Sequence, residues 1–170
     1  MPKCIENLRQ KLLDEAKEQT QTLGYGGVSI RSIAKGCGVG VGTVYNYFPS
    51  KDALIAGFML EDWQKSVRRV AEMSQATTDP NVVCRCIYDC LVDFARVHSA
   101  VIEDKAAITA FAGAFGQYHS VLRAQIAKPL ETFCTDPFTA VFIAESILTW
   151  TMSGASYEQI QPQICKLFKE

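Results

Sequence analysis

The chain has 170 residues, of which 48% are hydrophobic, 10% aromatic and 21% charged. That is globular composition, which excludes a mostly disordered chain and allows one domain or a small unit fused to a larger one. A formal charge of −1, from 17 Lys and Arg against 18 Asp and Glu, excludes a surface coated in cations for wholesale nucleic-acid binding but not a local basic face.

The hydrophobic pattern is helical throughout. Ile5, Leu8, Leu12 and Ala16 recur at helical spacing, predicting a first helix over 3–23 that Gly24-Tyr25-Gly26-Gly27 ends. Ser29 is a good N-cap for a short second helix, 30–36, with Ile30, Ile33 and Ala34 inward. Gly36-Cys37-Gly38-Val39 turns tightly into a third, 41–47, which Phe48-Pro49 breaks. Ser50 caps a long fourth, 51–73, with Leu54, Phe58, Asp62 or Trp63, and Val67 as its buried stripe. Asp79-Pro80 starts a fifth helix that runs to 97. Ser99 is the expected cap of the next, ending near Gly116, and another covers 118–133, ended or kinked by Pro129. Asp136-Pro137 opens a strongly apolar helix to 152, closed by Gly154, and a last short one, 158–169, has its start obscured by Pro162. The expected fold is all-α with about nine helices: an N-terminal three-helix domain over 1–50, then a C-terminal bundle over 51–170 that begins with the bridging fourth helix. Charge divides the same way. Lys and Arg outnumber Asp and Glu seven to five over 1–52, and Asp and Glu outnumber them thirteen to ten beyond.

No signal-peptide core follows Met1-Pro2-Lys3-Cys4. The apolar stretch 106–115 is too short to span a bilayer and 138–152 carries Glu145, so the expectation is a cytoplasmic protein without a membrane partner. Seven scattered cysteines, at 4, 37, 84, 86, 90, 134 and 165, suit reduced thiols better than a disulfide framework. Cys84-x-Cys86-x3-Cys90, with His98 beyond, lacks the paired spacing of a four-ligand zinc site. These cysteines read as small buried hydrophobes, with no metal and no cofactor expected.

The segment from Ser29 to Leu54 carries the chemistry. Two short helices around a glycine turn make a helix-turn-helix, whose second helix must protrude to enter a major groove about 12 Å wide. Ala34 lets the first helix cross closely, Gly38 lets the chain reverse, and Val39 plugs the core beneath the turn. The outer side of the third helix then offers Thr43, Tyr45, Asn46 and Tyr47, and 29–51 holds Arg31, Lys35 and Lys51 with no acidic residue. Tyr45 and Tyr47 cannot share one helix face, so at least one is expected to be exposed. The motif pieces are Ile33-Ala34, Gly38-Val39, Gly42-Thr43-Val44-Tyr45-Asn46-Tyr47-Phe48 and Lys51-Asp52-Ala53-Leu54, with Leu13-Asp14-x-Ala16 and Gly24-Tyr25 before them. Together they resemble the DNA-binding domain of TetR-family (TetR/AcrR) transcriptional regulators. The remaining two thirds is similar to that family only in being helical.

The resemblance implies roles by position. Tyr45, Tyr47 and Lys51 would contact backbone phosphates, with Arg31 and Lys35 as further phosphate candidates. Thr43 would lie near bases or phosphate, and Asn46 would reach a base edge. Gly40 and Val41 stand where the family often has a Ser cap and a basic or small residue. Gly40 can still cap, and Val41 offers no hydrogen bond. Thr20 replaces a usual aromatic and Lys17 a usual apolar residue, and Leu23 is expected to refill part of that core. The implied effector pocket lies in the C-terminal bundle, with His98, Phe111, Phe115, Tyr118 and His119 as lining candidates. Glu145, amid Val141, Phe142, Ile147 and Leu148, must reach solvent, a partner or a ligand. The implied dimer interface lies on the last two long helices, with Phe138, Val141, Phe142, Glu145, Leu148, Thr149 and Met152 as the stripe. The implied function is a ligand-released repressor acting as a homodimer on a pseudo-palindromic operator. Its partners would be double-stranded DNA, a second copy and a small-molecule effector. Two alternatives stay open: a helical interaction or thiol-sensing module with a weakened reading helix, and a cysteine-dependent enzyme. No Cys-His pairing, phosphate-binding glycine loop or carboxylate pair supports the enzyme.

Overall fold

The computed structural model describes residues 7–168, and of 114–117 the backbone alone. Among the described residues there are ten α-helices and no strand: α1 Leu8–Gly27, α2 Ile30–Gly36, α3 Val41–Tyr45, α4 Lys51–Ala76, α5 Pro80–Val97, α6 Ser99–Ile102, α7 Lys105–Phe111, α8 Phe115–Ala127, α9 Pro137–Met152 and α10 Tyr157–Ile164. Short 3₁₀ turns occupy Ala112–Ala114, Lys128–Phe133 and Cys165–Leu167.

The departures from the expected helices have local causes. The start expected at residue 3 lies outside the described residues, and α1 continues to Gly27 through a kink where Gly24 takes φ 73°. The helix expected over 99–116 is two, because the Asp104 side chain accepts the N–H groups of Ala106 and Ala107 and starts α7 afresh. Ser99 is the first residue of α6 and not its cap. The helix expected over 118–133 gives way to a 3₁₀ turn at Lys128, one residue before Pro129, which has no N–H to continue the ladder. The last helix starts earlier, at a capping box between Ser156 and Gln159, and ends at Ile164. Asp136 caps α9 as its sequence implies, accepting from the Thr139 N–H at 3.0 Å.

The chain divides into two compact units. The first runs up to Asp62 and takes in Val97–Ala112; the second comprises Trp63–Arg96 and the chain from Gly113 onward. These lines differ from the boundary expected at residue 50, for a packing reason. Leu54, Ile55 and Phe58 of α4 are buried in one core with Leu12, Leu13, Ala16, Ile33 and Val44, and Val101 and Ala107 of α6 and α7 join the same cluster. A Cβ at Gly57 would stand 2.9 Å from Leu13 Cδ2, so α4 crosses α1 closely at that glycine and Leu13 would have to shift for any side chain there. The second unit buries the α5 face Val83, Cys84, Ile87, Cys90 and Leu91 against Ala140, Ile143, Ala144 and Ile147 of α9, with Trp63, Leu130, Ile160 and Ile164 closing the cluster. Each fully buried aliphatic side chain contributes about 1.5–3 kcal/mol.

Candidate nucleic-acid interface

The reading head is built from short-range bonds. Ser29 and Ser32 form a reciprocal capping box that starts α2. Gly38 reverses the chain with φ 67°, and the Val39 N–H returns to the Ala34 carbonyl at 2.9 Å. The Gly40 carbonyl then accepts from the Thr43 N–H at 2.9 Å, starting α3 without a side-chain cap. Val44 has no exposed surface and Phe48 is 5% exposed, so these two pin α3 to the core. With the inner side so fixed, Tyr45 is 52% and Tyr47 47% exposed, and Asn46 between them is exposed as well. Thr43 is half-buried, while Arg31 and Lys35 are exposed on α2.

Lys51 is held differently from a free surface lysine. It is half-buried at the start of α4, its Nζ donates to the Tyr25 carbonyl at 3.0 Å, and it lies 3.7 Å from the Tyr25 ring centroid. The Tyr25 hydroxyl donates to Asp52 Oδ1 at 2.6 Å, and burial together with that carboxylate pushes its pKa up to about 12. Tyr25 is thus the mount for the Lys51 ammonium, a role the sequence reading did not assign. Gly24-Tyr25 and Lys51-Asp52 were both visible as motif halves, but only the fold pairs them. An ammonium has three N–H donors, so one bond to Tyr25 leaves two for a phosphate.

The five effector candidates are not brought together. His98 and Phe111 belong to the first unit. His98 is 2% exposed, stacks on Phe58 with centroids 5.7 Å apart, and has its Nε2 3.2 Å from Asp62 Oδ2. Asp62 also accepts from Lys17 Nζ at 2.6 Å, so Lys17, out of place for an apolar position, is answered by a carboxylate and an imidazole. Burial lowers the His98 pKa and the Asp62 charge opposes the shift. Phe111 meets Tyr25 edge-on at 6.4 Å. In the second unit Tyr118 is exposed, and His119 lies 3.5 Å from Glu145 Oε1. The Phe115 side chain lies outside the described residues. Glu145 finds its partners on α8, with Arg123 at 3.5 Å from its other oxygen, and accepts from the Thr149 hydroxyl at 2.8 Å.

None of the described candidates lines either of two cavities in the second unit. One void, between Trp63, Val67, Ile87, Cys90, Gln125 and Ile126, measures ≈ 10 Å³, room for about one water. The other is an open groove of ≈ 540 Å³ between the end of α4, α5 and α10, where Arg69, Met73, Arg85, Cys86 and Tyr157 meet. Leu23 does not refill the first core: it is 55% exposed, while Thr20 is itself buried, its hydroxyl donating to the Ala16 carbonyl at 2.6 Å. Of the expected dimer stripe, Phe138, Phe142, Thr149 and Met152 are exposed and Val141 and Glu145 half-buried, but Leu148 is buried in its own unit. On α10 the apolar residues Tyr157, Ile160 and Ile164 turn inward, whereas α8 exposes Tyr118 and Val121.

Cys84, Cys86, Cys90 and Cys134 are buried thiols, and burial pushes the Cys90 pKa up to about 11 and that of Cys84 higher still. Such thiols are poor nucleophiles. Among the described residues no group of three or more His, Cys, Asp and Glu is placed to hold a metal ion, and no helix is long and apolar enough to cross a membrane.

Comparison with known proteins bears on this geometry. Residues 12–57, the span from mid-α1 to the crossing of α4 over α1, match the model of the family described as bacterial regulatory proteins, tetR family. The HTH-type transcriptional regulator UidR of Escherichia coli K12 is 34% identical over 64 residues, which are 38% of this chain and 33% of that protein; the match thus spans about a third of the length of the curated relatives. Solved structures extend the likeness of fold along the chain. SCO7518 from Streptomyces coelicolor A3(2) has a TM-score of 0.72 at 18% identity, covering 95% of this chain and 98% of its own. The multidrug binding protein EbrR, solved with imidazole, has a TM-score of 0.64 at 17% identity, covering 98% and 97%. Through residues 12–57 the chain is thus similar to the tetR family of bacterial regulatory proteins, and over the rest of its length the likeness is one of fold alone.

Proposed function

We propose that the protein is a sequence-specific DNA-binding regulator that acts as a homodimer on a pseudo-palindromic operator and releases it when a small molecule binds the second unit. The observation that carries this reading is the outward side of α3 and the turn that follows it, where Tyr45, Asn46 and Tyr47 stand exposed over a helix pinned by Val44 and Phe48. Hydroxyls at Tyr45 and Tyr47, ammonium groups at Lys35 and Lys51 and the guanidinium of Arg31 suit phosphate oxygens and set register; Asn46 and Thr43 suit base edges. The exposed apolar face of α9, continued by Tyr118 and Val121 of α8, suits a second copy, and two-fold pairing would present two α3 helices to one face of the duplex. Because α10 turns its apolar residues inward, α8 and α9 are the pair proposed here, in place of the last two helices.

The effector is a proposal of coarser grain. The likeness in fold to a multidrug binding protein supports a ligand in the second unit. A void of ≈ 10 Å³ admits an effector only if the helices around it move apart. Binding would therefore shift the population toward a conformer in which that unit is opened, and α4, which runs through both units, would carry the change to the reading head. A mobility-shift or footprinting assay on the DNA flanking the gene tests the central claim. Protection at moderate salt that disappears in Tyr45→Phe and Lys51→Ala variants of intact fold supports it. A folded dimer that protects no DNA refutes it.

A further inference from the structure

We infer that Val41 is a specificity-determining residue that reads the 5-methyl group of thymine in the major groove; the inference rests on the DNA-binding reading above. Val41 is the first residue of α3 and 38% exposed, an apolar side chain left in water beside the polar face of Tyr45 and Asn46. It is flanked by Gly40 and Gly42, and the fold calls for neither glycine. The positive-φ glycines among the described residues are Gly24, Gly38 and Gly154. A Cβ on Gly42 would meet nothing within 4 Å, and one on Gly40 would meet only Thr43 Oγ1, at an ordinary 3.8 Å. Glycine is the poorest helix former after proline, so the chain forgoes helical stability at Gly42 where nothing within it demands that residue.

The consequence is a bare stretch of backbone from which one isopropyl group projects. With no side-chain donor or acceptor over 40–42, this part of the head cannot discriminate bases by hydrogen-bond pattern. What an apolar side chain can read in a major groove is the thymine C5-methyl, the one apolar mark among the four base edges. The missing Cβ atoms on either side let that methyl close on the Val41 branch without meeting a neighbour. Thr43 and Asn46, two and five residues further on, remain for polar contacts. The operator half-site should therefore contain a thymine whose identity is set by its methyl group and not by its O4.

The test uses the full chain and synthetic duplexes recovered by selection from a randomised double-stranded pool. Each thymine of a recovered site is replaced in turn by deoxyuridine, which differs only in lacking the methyl. The expected result is one position per half-site where the replacement weakens binding about four-fold, the ratio that burying one methyl group converts to. Val41→Ser should bind the thymine and uracil duplexes alike, and Val41→Ile should keep the discrimination, which separates a methyl contact from general damage to α3. A flat uracil scan in a protein that binds its selected duplexes overturns the assignment, as does a scan that Val41→Ser leaves unchanged. If the pool yields no bound duplex from a folded dimer, the DNA-binding reading itself falls and this inference with it.

Discussion

His98 and Lys51 show how individual side chains in the first unit are committed before any ligand arrives. The buried His98 imidazole sits between the Phe58 ring and Asp62, whose Oδ2 is also met by Lys17. Burial holds its pKa below the ordinary 6.5, so at neutral pH it is uncharged. In the unfolded chain it takes up a proton as pH falls through 6.5, before the folded chain does, and stability is therefore lost on acidification below that value. Thermal melts at pH 7.5, 6.5 and 5.5 should show the melting temperature falling across the last interval, and His98→Phe, which keeps the stack on Phe58, should flatten the fall. Lys51→Ala should weaken operator binding about a hundredfold or more at moderate salt while leaving the circular dichroism spectrum unchanged, because each of the two heads of a dimer loses a charge-assisted hydrogen bond to phosphate worth roughly 1.5–3 kcal/mol. Titration by fluorescence anisotropy checks it. Legibility at this scale depended on whether a residue's neighbours were local. The exposure of Tyr45 and Tyr47 followed from helix geometry and a nearby anchor. The pairing of Asp62 with Lys17 and His98 joins residues 45 and 36 positions apart, and no periodicity encodes it.

Among the elements, the turn between α2 and α3 is the one a single substitution should damage most directly. Gly38 holds φ 67°, where a Cβ is strained even though space is open around it. Gly38→Ala should cost about 1–2 kcal/mol and lower DNA affinity more than Gly42→Ala, whose backbone is unstrained; urea denaturation and binding titrations on both variants check this. Asp136→Ala removes the side-chain acceptor for the Thr139 N–H and should cost about 1 kcal/mol in the same denaturation experiment. Starts and stops marked by a cap, glycine or proline were readable: Ser29, Gly38, Asp136 and Gly154 act where the sequence places them. The break between α6 and α7 was not, because Glu103-Asp104-Lys105 reads equally well as the exposed side of one continuous helix, and Asp104 competes as a cap only once Val101 and Ala107 have found the first core. The same reason moved the unit boundary, since α4 has no composition change at Asp62 to mark where one core ends and the next begins.

For the whole molecule, the apolar face of α9 and the reading head of α3 make linked predictions. Phe138→Glu with Phe142→Glu should convert the proposed dimer to monomer in sedimentation velocity without loss of helix, because both rings are exposed in the single chain and no core depends on them. The same variant should lose specific binding, having one head per molecule. Arg31, Lys35 and Lys51 in two subunits present six cations, for which the slope of log K against log salt should be about −5, falling by roughly 2 in Lys51→Ala. A net charge of −1 per chain adds little long-range attraction to that slope. The distribution of thiols gives the molecule a clock of its own. Four buried cysteines lie in the second unit and only the half-buried Cys37 lies among the described residues of the first, with the half-buried Cys165 near the far end. Alkylation followed by mass spectrometry thus dates the opening of each unit separately. Any small molecule that seats in the second core should slow labelling of Cys84, Cys90 and Cys134 while Cys37 keeps its pace, which makes the protein a sensor for its own effector before that effector has a name.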